Sequence, residues 1–158
     1  MRTTVAVPIA LAAMALGASA CGGDETDKLP RAEFVSKATA VCSDSRRKAN
    51  AIPDPSGGRT DAETFDRLAE YLGKATPIVQ DGYDRLRDLE PEDGALAKKW
   101  DGYLDGLEAA IGDLKEAREH AEDGDKEGLQ AALKRVQDND VEAESILGKG
   151  ACAGGTVS

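Results

Sequence analysis

An uncharged apolar stretch near the amino terminus constrains this chain more than any other feature. One basic residue, Arg2, precedes the 12 uncharged residues Val5–Leu16, and the small residues Ala18–Ala20 follow them. A basic start, a short apolar segment and a small-residue exit are typical of a secretory signal, and the apolar segment is too short for a stable membrane span. The pattern predicts a signal peptide over residues 1–20 and a mature chain that works outside the cytoplasm.

A cysteine follows this exit directly. Cys21 is succeeded by the small and then acidic stretch Gly22–Asp24. Together, Ala18–Cys21 and Gly22–Asp24 resemble the lipobox of bacterial lipoproteins and the start of their mature chains. The resemblance implies cleavage between Ala20 and Cys21, a thioether-linked diacylglycerol on Cys21, and a fatty acyl chain such as palmitate on the new amino terminus. It implies a protein anchored to the lipid bilayer through Cys21, on the extracytoplasmic face of the cell membrane.

One position departs from the lipobox pattern. The third residue before the cysteine is usually Leu or another branched apolar residue, and here it is Ala18. Ala18 and Ala20 also suit ordinary signal peptidase, which would cut the same bond and release a soluble protein. Lipidation and simple secretion are both open interpretations of this stretch.

The mature chain has the size of one domain. From Cys21 to the end it has 138 residues, enough for a single ordinary core. We expect a lipidated cysteine and tether over residues 21–29 and a helical domain over residues 30–158. Fully extended, the tether Gly22–Leu29 would reach about 28 Å, so the domain should lie close to the membrane.

Four segments of the domain repeat apolar residues at helical spacing. Turn residues separate them: Pro53–Gly58, the corner Leu89–Pro91, and Gly124. The fold class predicted is all-α, an up-down-up-down four-helix bundle. The residues predicted to be buried are Phe34, Val35, Ala38, Val41, Cys42, Ala49 and Ile52, then Phe65, Leu68, Leu72, Ala75, Val79, Tyr83 and Leu86, then Leu96, Trp100, Tyr103, Leu104, Leu107, Ile111, Leu114 and Ala117, then Leu129, Ala132, Leu133, Val136, Ala143, Ile146 and Leu147.

Local signals refine the second and third helices. Thr60 and Glu63 are spaced as a capping box, in which each side chain bonds the backbone N–H of the other. Pro77 cannot donate a helical hydrogen bond and is expected to kink the second helix. Gly102 and Gly106 lie on one flank of the third helix, where we expect close helix packing, with a ligand groove as the alternative.

The cysteine count favours lipidation. The chain has three cysteines, and an odd number would leave one unpaired in an oxidising compartment. If lipid takes Cys21, Cys42 and Cys152 remain, and an up-down-up-down order brings the tail close to helix 1. We therefore expect a Cys42–Cys152 disulfide. The alternative is a buried free Cys42 with a loose Cys152.

Charge and composition exclude several classes of function. Before Cys21 the only charged residue is Arg2, so the mature chain keeps 19 Lys and Arg against 30 Asp and Glu, a net charge of −11. This argues against nucleic acid as a partner. The single histidine, His120, argues against a Ser-His-Asp triad and excludes paired Glu-x-x-His motifs. Lys134 stands where a calcium loop starting at Asp123 needs a carboxylate. We expect no cofactor, no metal site and no catalytic residues.

A looser resemblance covers the mature chain. The spacing of Phe34 and Cys42 and the carboxyl-terminal Cys152 look like small helical lipoproteins and secreted proteins of high-GC Gram-positive bacteria, a class that implies no activity. The function predicted is a non-enzymatic module that binds an unknown envelope protein or ligand. The alternative is a carrier of a small molecule or ion, with a groove beside Gly102 and Gly106 or the acidic turn Asp123–Glu127 as its site.

Overall fold

The computed structural model describes residues 28–138 and 146–148. It contains four α-helices, α1 Arg31–Asn50, α2 Asp61–Arg87, α3 Gly94–Glu122 and α4 Lys126–Asp138. Within these residues no strand occurs, and a single bridge joins Leu29 to Pro91. The predicted all-α class is confirmed, and the helices fit a four-helix bundle.

Side-chain caps set where three of the helices begin. Thr60 Oγ1 accepts from the Glu63 N–H at 3.2 Å, as predicted for the start of α2. The reciprocal bond differs from the capping box, because Glu63 Oε2 accepts from Arg59 N at 2.7 Å and not from Thr60 N. Asp93 caps α3, and Asp125 accepts from Gly128 N at 3.1 Å at the start of α4.

Helices α1 and α2 pack antiparallel to each other. Across α1 and α2, Asp44 pairs with Arg85 and Lys48 with Asp81, so residue numbers rise along one helix as they fall along the other. α2 packs in turn on α3, and α3 on α4. The up-down-up-down order of the whole bundle stays a prediction, because part of the chain after α4 lies outside the described residues.

The buried side chains form two clusters at opposite ends of the α2–α3 pair. The corner core lies beside the α2–α3 corner, Leu89–Glu92, and the distal core lies where α3 meets α4. The corner core consists of Phe34, Ala38, Val41, Leu86, Leu96, Trp100, Ile146 and Leu147. The distal core consists of Ala69, Leu72, Ala117, Ala121, Leu129 and Ala132.

The two clusters differ in the size of their side chains. Phe34 and Trp100, the largest fully buried side chains, meet edge to face with ring centroids 4.9 Å apart, and Tyr103 stacks on Trp100 at 5.1 Å. Four of the six distal residues are alanines, which let helices approach closely but bury little area each. Burial of the corner core therefore contributes more to the stability of the fold than burial of the distal core.

The predicted buried faces agree with these clusters in part. All the predicted positions in the described residues are buried or half-buried, Ile146 and Leu147 among them. Ala143 lies outside the described residues. The helix α2 runs through Pro77, which is exposed, and the kink stays a prediction.

The close packing expected along the flank with Gly102 and Gly106 is not found at Gly102. An added Cβ at Gly102 or Gly112 would meet no atom of the described residues within 4 Å. At Gly106 the expectation stays a prediction. The close approach is at Gly82 of α2 instead, where a Cβ would lie 2.7 Å from Ser45 Oγ of α1.

These surroundings give opposite expectations for two alanine substitutions. Gly102→Ala should raise the free energy of unfolding by about 0.5–1 kcal/mol, because alanine restricts the unfolded chain and meets no obstacle in the helix. Gly82→Ala should leave the free energy of unfolding unchanged or lower it, because Ser45 must move to make room for the new methyl group. Urea unfolding of both variants tests the pair, and an equal gain in both would contradict the packing of α1 on α2.

Candidate functional site

The residues predicted to carry the lipid anchor lie outside the described part of the chain. Cys21, Ala20 and the signal peptide precede residue 28, and Cys152 follows residue 148. Cleavage and lipidation therefore stay predictions. Among the described helices none is long and apolar enough to cross a membrane.

Cys42 is the one predicted site residue that the structure describes. It lies in the middle of α1, is half-buried and packs against the corner core. It is disulfide-bonded rather than a free thiol. The other cysteines of the chain, Cys21 and Cys152, both lie outside the described residues, so the pairing with Cys152 stays a prediction.

The end of the predicted tether is bonded to the α2–α3 corner. Leu29 N donates to Glu90 O at 2.7 Å, and Glu92 N donates to Leu29 O at 2.9 Å. The Lys28 ammonium lies 2.9 Å from Glu90 Oε1, and the Leu29 side chain packs against the corner core. We call these contacts of Lys28 and Leu29 with the corner the seat. They fix the point at which the chain enters the domain.

Sequence patterns gave little sign of the seat. A bridge of one residue on each side is too short to leave a repeating pattern of apolar residues in the sequence. The polar composition of Gly22–Lys28 indicates a tether that continues to the first helix. The available signal was Leu29 itself, an apolar residue between a polar stretch and Pro30.

A cavity of about 250 Å³ is formed at the same corner. Its lining combines charged and apolar groups, including Arg87, Asp88, Leu89, Glu90, Trp100 and Asp101. Trp100 is 1% exposed, and its Nε1 has no hydrogen-bond partner among the described residues. The cavity is smaller than the roughly 300–1,000 Å³ of sites for drug-sized ligands. Neither Gly102 nor Gly106 lines it.

The acidic turn between α3 and α4 is held by hydrogen bonds and ion pairs. The His120 ring lies between two carboxylates, with Nδ1 2.9 Å from Asp125 Oδ2 and Nε2 3.4 Å from Glu116 Oε1. The hydrogen bond from Gly128 N lowers the pKa of Asp125, and the adjacent His120 acts in the same direction. These contacts account for Asp125 as the cap of α4 and the partner of His120.

An arginine links α4 back to α3 beside this turn. Arg135 Nε donates to Asp113 Oδ1 at 2.6 Å, and Arg135 Nη2 donates to Glu116 Oε2. Hydrogen bonding to Asp113 and then to Glu116 raises the pKa of Arg135, so the guanidinium stays charged. Over the described ranges, no three His, Cys, Asp or Glu side chains are grouped to hold a metal ion.

A second cavity, of about 430 Å³, is wide open to solvent. It lies where the loop before α2 runs beside that helix, and is lined by Gly57, Arg59, Glu63, Asp66 and Arg67. Arg67 Nη1 donates to Ser56 O at 3.2 Å and so holds the loop in place. These polar residues are largely engaged in structural bonds.

The chain has no match among known protein families, curated proteins or solved structures.

The cap of α3 gives a pH-dependent prediction at the corner. Asp93 Oδ1 accepts from Ala95 N at 2.8 Å and from Leu96 N at 3.0 Å. The bond from Leu96, followed by that from Ala95, lowers the pKa of Asp93. A lowered pKa in the folded protein stabilises the fold above the unfolded pKa, and that stabilisation is lost as the pH falls through the folded pKa.

Asp93→Ala should therefore lower the urea midpoint of unfolding at neutral pH. The difference in midpoint between the wild type and Asp93→Ala should shrink as the pH falls below about 4. Asp93→Asn is the matched control, because it keeps an oxygen acceptor and removes the titration. A difference between Asp93→Ala and wild type that is independent of pH would contradict the role of the carboxylate.

Proposed function

We propose that this chain is a lipoprotein held on the extracytoplasmic face of the cell membrane by acylated Cys21, and that its helical bundle is a non-enzymatic binding module for an envelope protein or ligand. Support for the anchor comes from the uncharged run Val5–Leu16, the small residues Ala18–Ala20 and the cysteine directly after them.

The seat is the observation that carries the proposal. Cys21 precedes Lys28 by seven residues, and Lys28 and Leu29 are bonded to the α2–α3 corner. Seven residues span at most about 25 Å, so lipid on Cys21 would hold the folded domain within that distance of the bilayer. Two or three acyl chains give firm attachment, and the repulsion of an acidic domain from anionic lipid would not detach it.

The binding role rests on the form of the domain. Asp125 of the α3–α4 turn caps α4, and the ion pairs between α1 and α2 hold those two helices together. What the bundle offers to other molecules is a helical surface with many charges, kept near the membrane by its short tether.

The disulfide Cys42–Cys152 is part of the same proposal. Cys42 packs against the corner core, to which Ile146 and Leu147 also belong. Cys152 follows Leu147 by five residues, a span of at most about 18 Å. A bridge between them would hold the tail of the chain to α1.

A carrier function is the second candidate, and the corner cavity favours it. The cavity combines the apolar side chains of Leu89 and Leu104 with the charged side chains of Arg87 and Asp101, a mixture that can hold and orient a small ligand. Native mass spectrometry of the protein purified from its host distinguishes the candidates, since a carrier would retain a small molecule that unfolding releases.

The anchor is tested by fractionating host cells that express the wild type or Cys21→Ser. The wild type should partition into the membrane fraction and into detergent. Cys21→Ser, which lacks the thiol that takes lipid, should move to the soluble extracellular fraction. Cys152→Ser is the control, because it changes a cysteine without touching the anchor. Wild type in the soluble fraction would establish simple secretion instead.

The disulfide is tested by unfolding the purified protein with and without reductant. Closing a loop of about 110 residues stabilises by up to about 4.7 kcal/mol in the chain-entropy model, so reduction should lower the free energy of unfolding by up to that amount. Cys152→Ser should unfold like the reduced wild type and be insensitive to reductant. Equal stability of the oxidised and reduced wild type would contradict the bridge.

A further inference from the structure

We infer that the seat orients the anchored domain, with the α2–α3 corner toward the membrane and the distal end away from it. The surface facing the lipid is then the corner, formed by the start of α1, the end of α2 and the start of α3. This inference rests on the proposed lipid anchor at Cys21 and goes beyond it, because an anchor alone leaves the domain free to turn.

The place where the chain leaves the domain is fixed by the folded corner. Backbone hydrogen bonds on both sides of the bridge hold Leu29 at 2.7 and 2.9 Å from Glu90 and Glu92. The exit point is therefore part of the folded corner and cannot swing around the end of α1. A short chain attached there brings the corner, before any other part of the domain, to the lipid surface.

The lengths of the helices and of the tether limit which parts of the domain reach the lipid. α2 has 27 residues and α3 has 29, so the far ends of these helices lie about 40 Å from the corner at 1.5 Å per residue. The tether from Cys21 to Lys28 spans at most about 25 Å. The distal end reaches the membrane only if the whole domain lies down on it.

Charge is distributed unevenly between the two ends of the domain. The corner end, residues 28–37 and 86–101, is electrically balanced. It carries six basic residues, Lys28, Arg31, Lys37, Arg87, Lys98 and Lys99, and six acidic ones, Glu33, Asp88, Glu90, Glu92, Asp93 and Asp101.

The distal end, residues 59–72 and 113–129, is strongly acidic. It carries five basic residues, Arg59, Arg67, Lys115, Arg118 and Lys126, and eleven acidic ones, Asp61, Glu63, Asp66, Glu70, Asp113, Glu116, Glu119, Glu122, Asp123, Asp125 and Glu127.

This asymmetry favours the upright orientation on an anionic membrane. Charges are screened beyond about 8 Å at physiological ionic strength, so in the upright orientation the membrane does not repel a distal end about 40 Å away. A domain lying on the membrane would place the six excess negative charges of its distal end against the anionic lipid. The balanced corner meets the surface with little net repulsion. The acidic end then faces the molecules of the envelope.

The single tryptophan allows the orientation to be measured. Trp100 belongs to the corner core, and it is the only tryptophan in the chain. The acylated protein, purified from a host that lipidates it, is reconstituted into phosphatidylcholine–phosphatidylglycerol vesicles with a dansyl acceptor on the headgroups. Energy transfer from Trp100 is compared with transfer in the double variant Trp100→Phe, Tyr71→Trp, which moves the donor to the distal core.

Transfer should be several-fold greater from Trp100 than from the tryptophan at position 71. Leu29→Pro removes the N–H that bonds Glu90 and should reduce this difference, whereas Leu29→Ala, which keeps both backbone bonds, should retain most of it. Equal transfer from both positions, or greater transfer from position 71, overturns the orientation and leaves the anchor intact. Failure of the wild type to float with the vesicles overturns the anchor itself.

Lysine labelling of the wild type tests the same orientation without a substitution in the core. Lys98 and Lys99 at the corner and Lys115 and Lys126 at the distal end are all exposed. In vesicles, a membrane-impermeant amine reagent should label the corner pair several-fold more slowly than in soluble Cys21→Ser, and should label the distal pair at an unchanged rate. Slower labelling of the distal pair would overturn the orientation.

Discussion

The contact between Phe34 and Trp100 joins parts of the chain that are far apart in sequence. Phe34 comes from α1 and Trp100 from α3, and their rings meet at 4.9 Å in a cluster that also includes Leu86, Ile146 and Leu147. Losing a buried aromatic side chain of this size typically costs about 3–5 kcal/mol. Since stability of a domain this small is itself on the order of 5–15 kcal/mol, the corner core is a large part of what keeps the fold together.

The seat depends on the same cluster. Leu29 packs against the corner core while its backbone bonds the corner, so the entry of the chain is fixed by packing and hydrogen bonds together. The isolated bridge alone would contribute little, because each exposed backbone hydrogen bond is worth about 1 kcal/mol net. The corner core therefore supports both the fold and the connection through which a lipid on Cys21 would hold the domain.

Much of the fold could be predicted from sequence because helices leave periodic signals. The apolar stripes that include Leu72 and Leu86 on α2 and Leu96 on α3, and the cap at Thr60, were found in this way. Such stripes do not reveal how the apolar residues divide among clusters. The separation into an aromatic corner core and an alanine-rich distal core depends on which helices cross at each end.

The errors have definite physical causes. Glycine suggested close packing at Gly102, but a small residue permits close approach without requiring it. The close approach found in the structure is that of α1 to Gly82 of α2. Glu63 was expected to bond Thr60 N, and the turn before α2 presents Arg59 N to it. For the site, the lipobox residues indicate an anchor, while the place where the tether meets the domain depends on the folded corner and has no local sequence pattern.

The intact mass of the protein from its native host tests most directly whether a lipid on Cys21 anchors this domain. The mass should correspond to a chain that starts at Cys21 and carries diacylglycerol with further acylation, and it should rise by two hydrogens on reduction as Cys42 and Cys152 separate. An unlipidated chain that starts at Cys21 would contradict the anchor and would leave a third thiol unexplained.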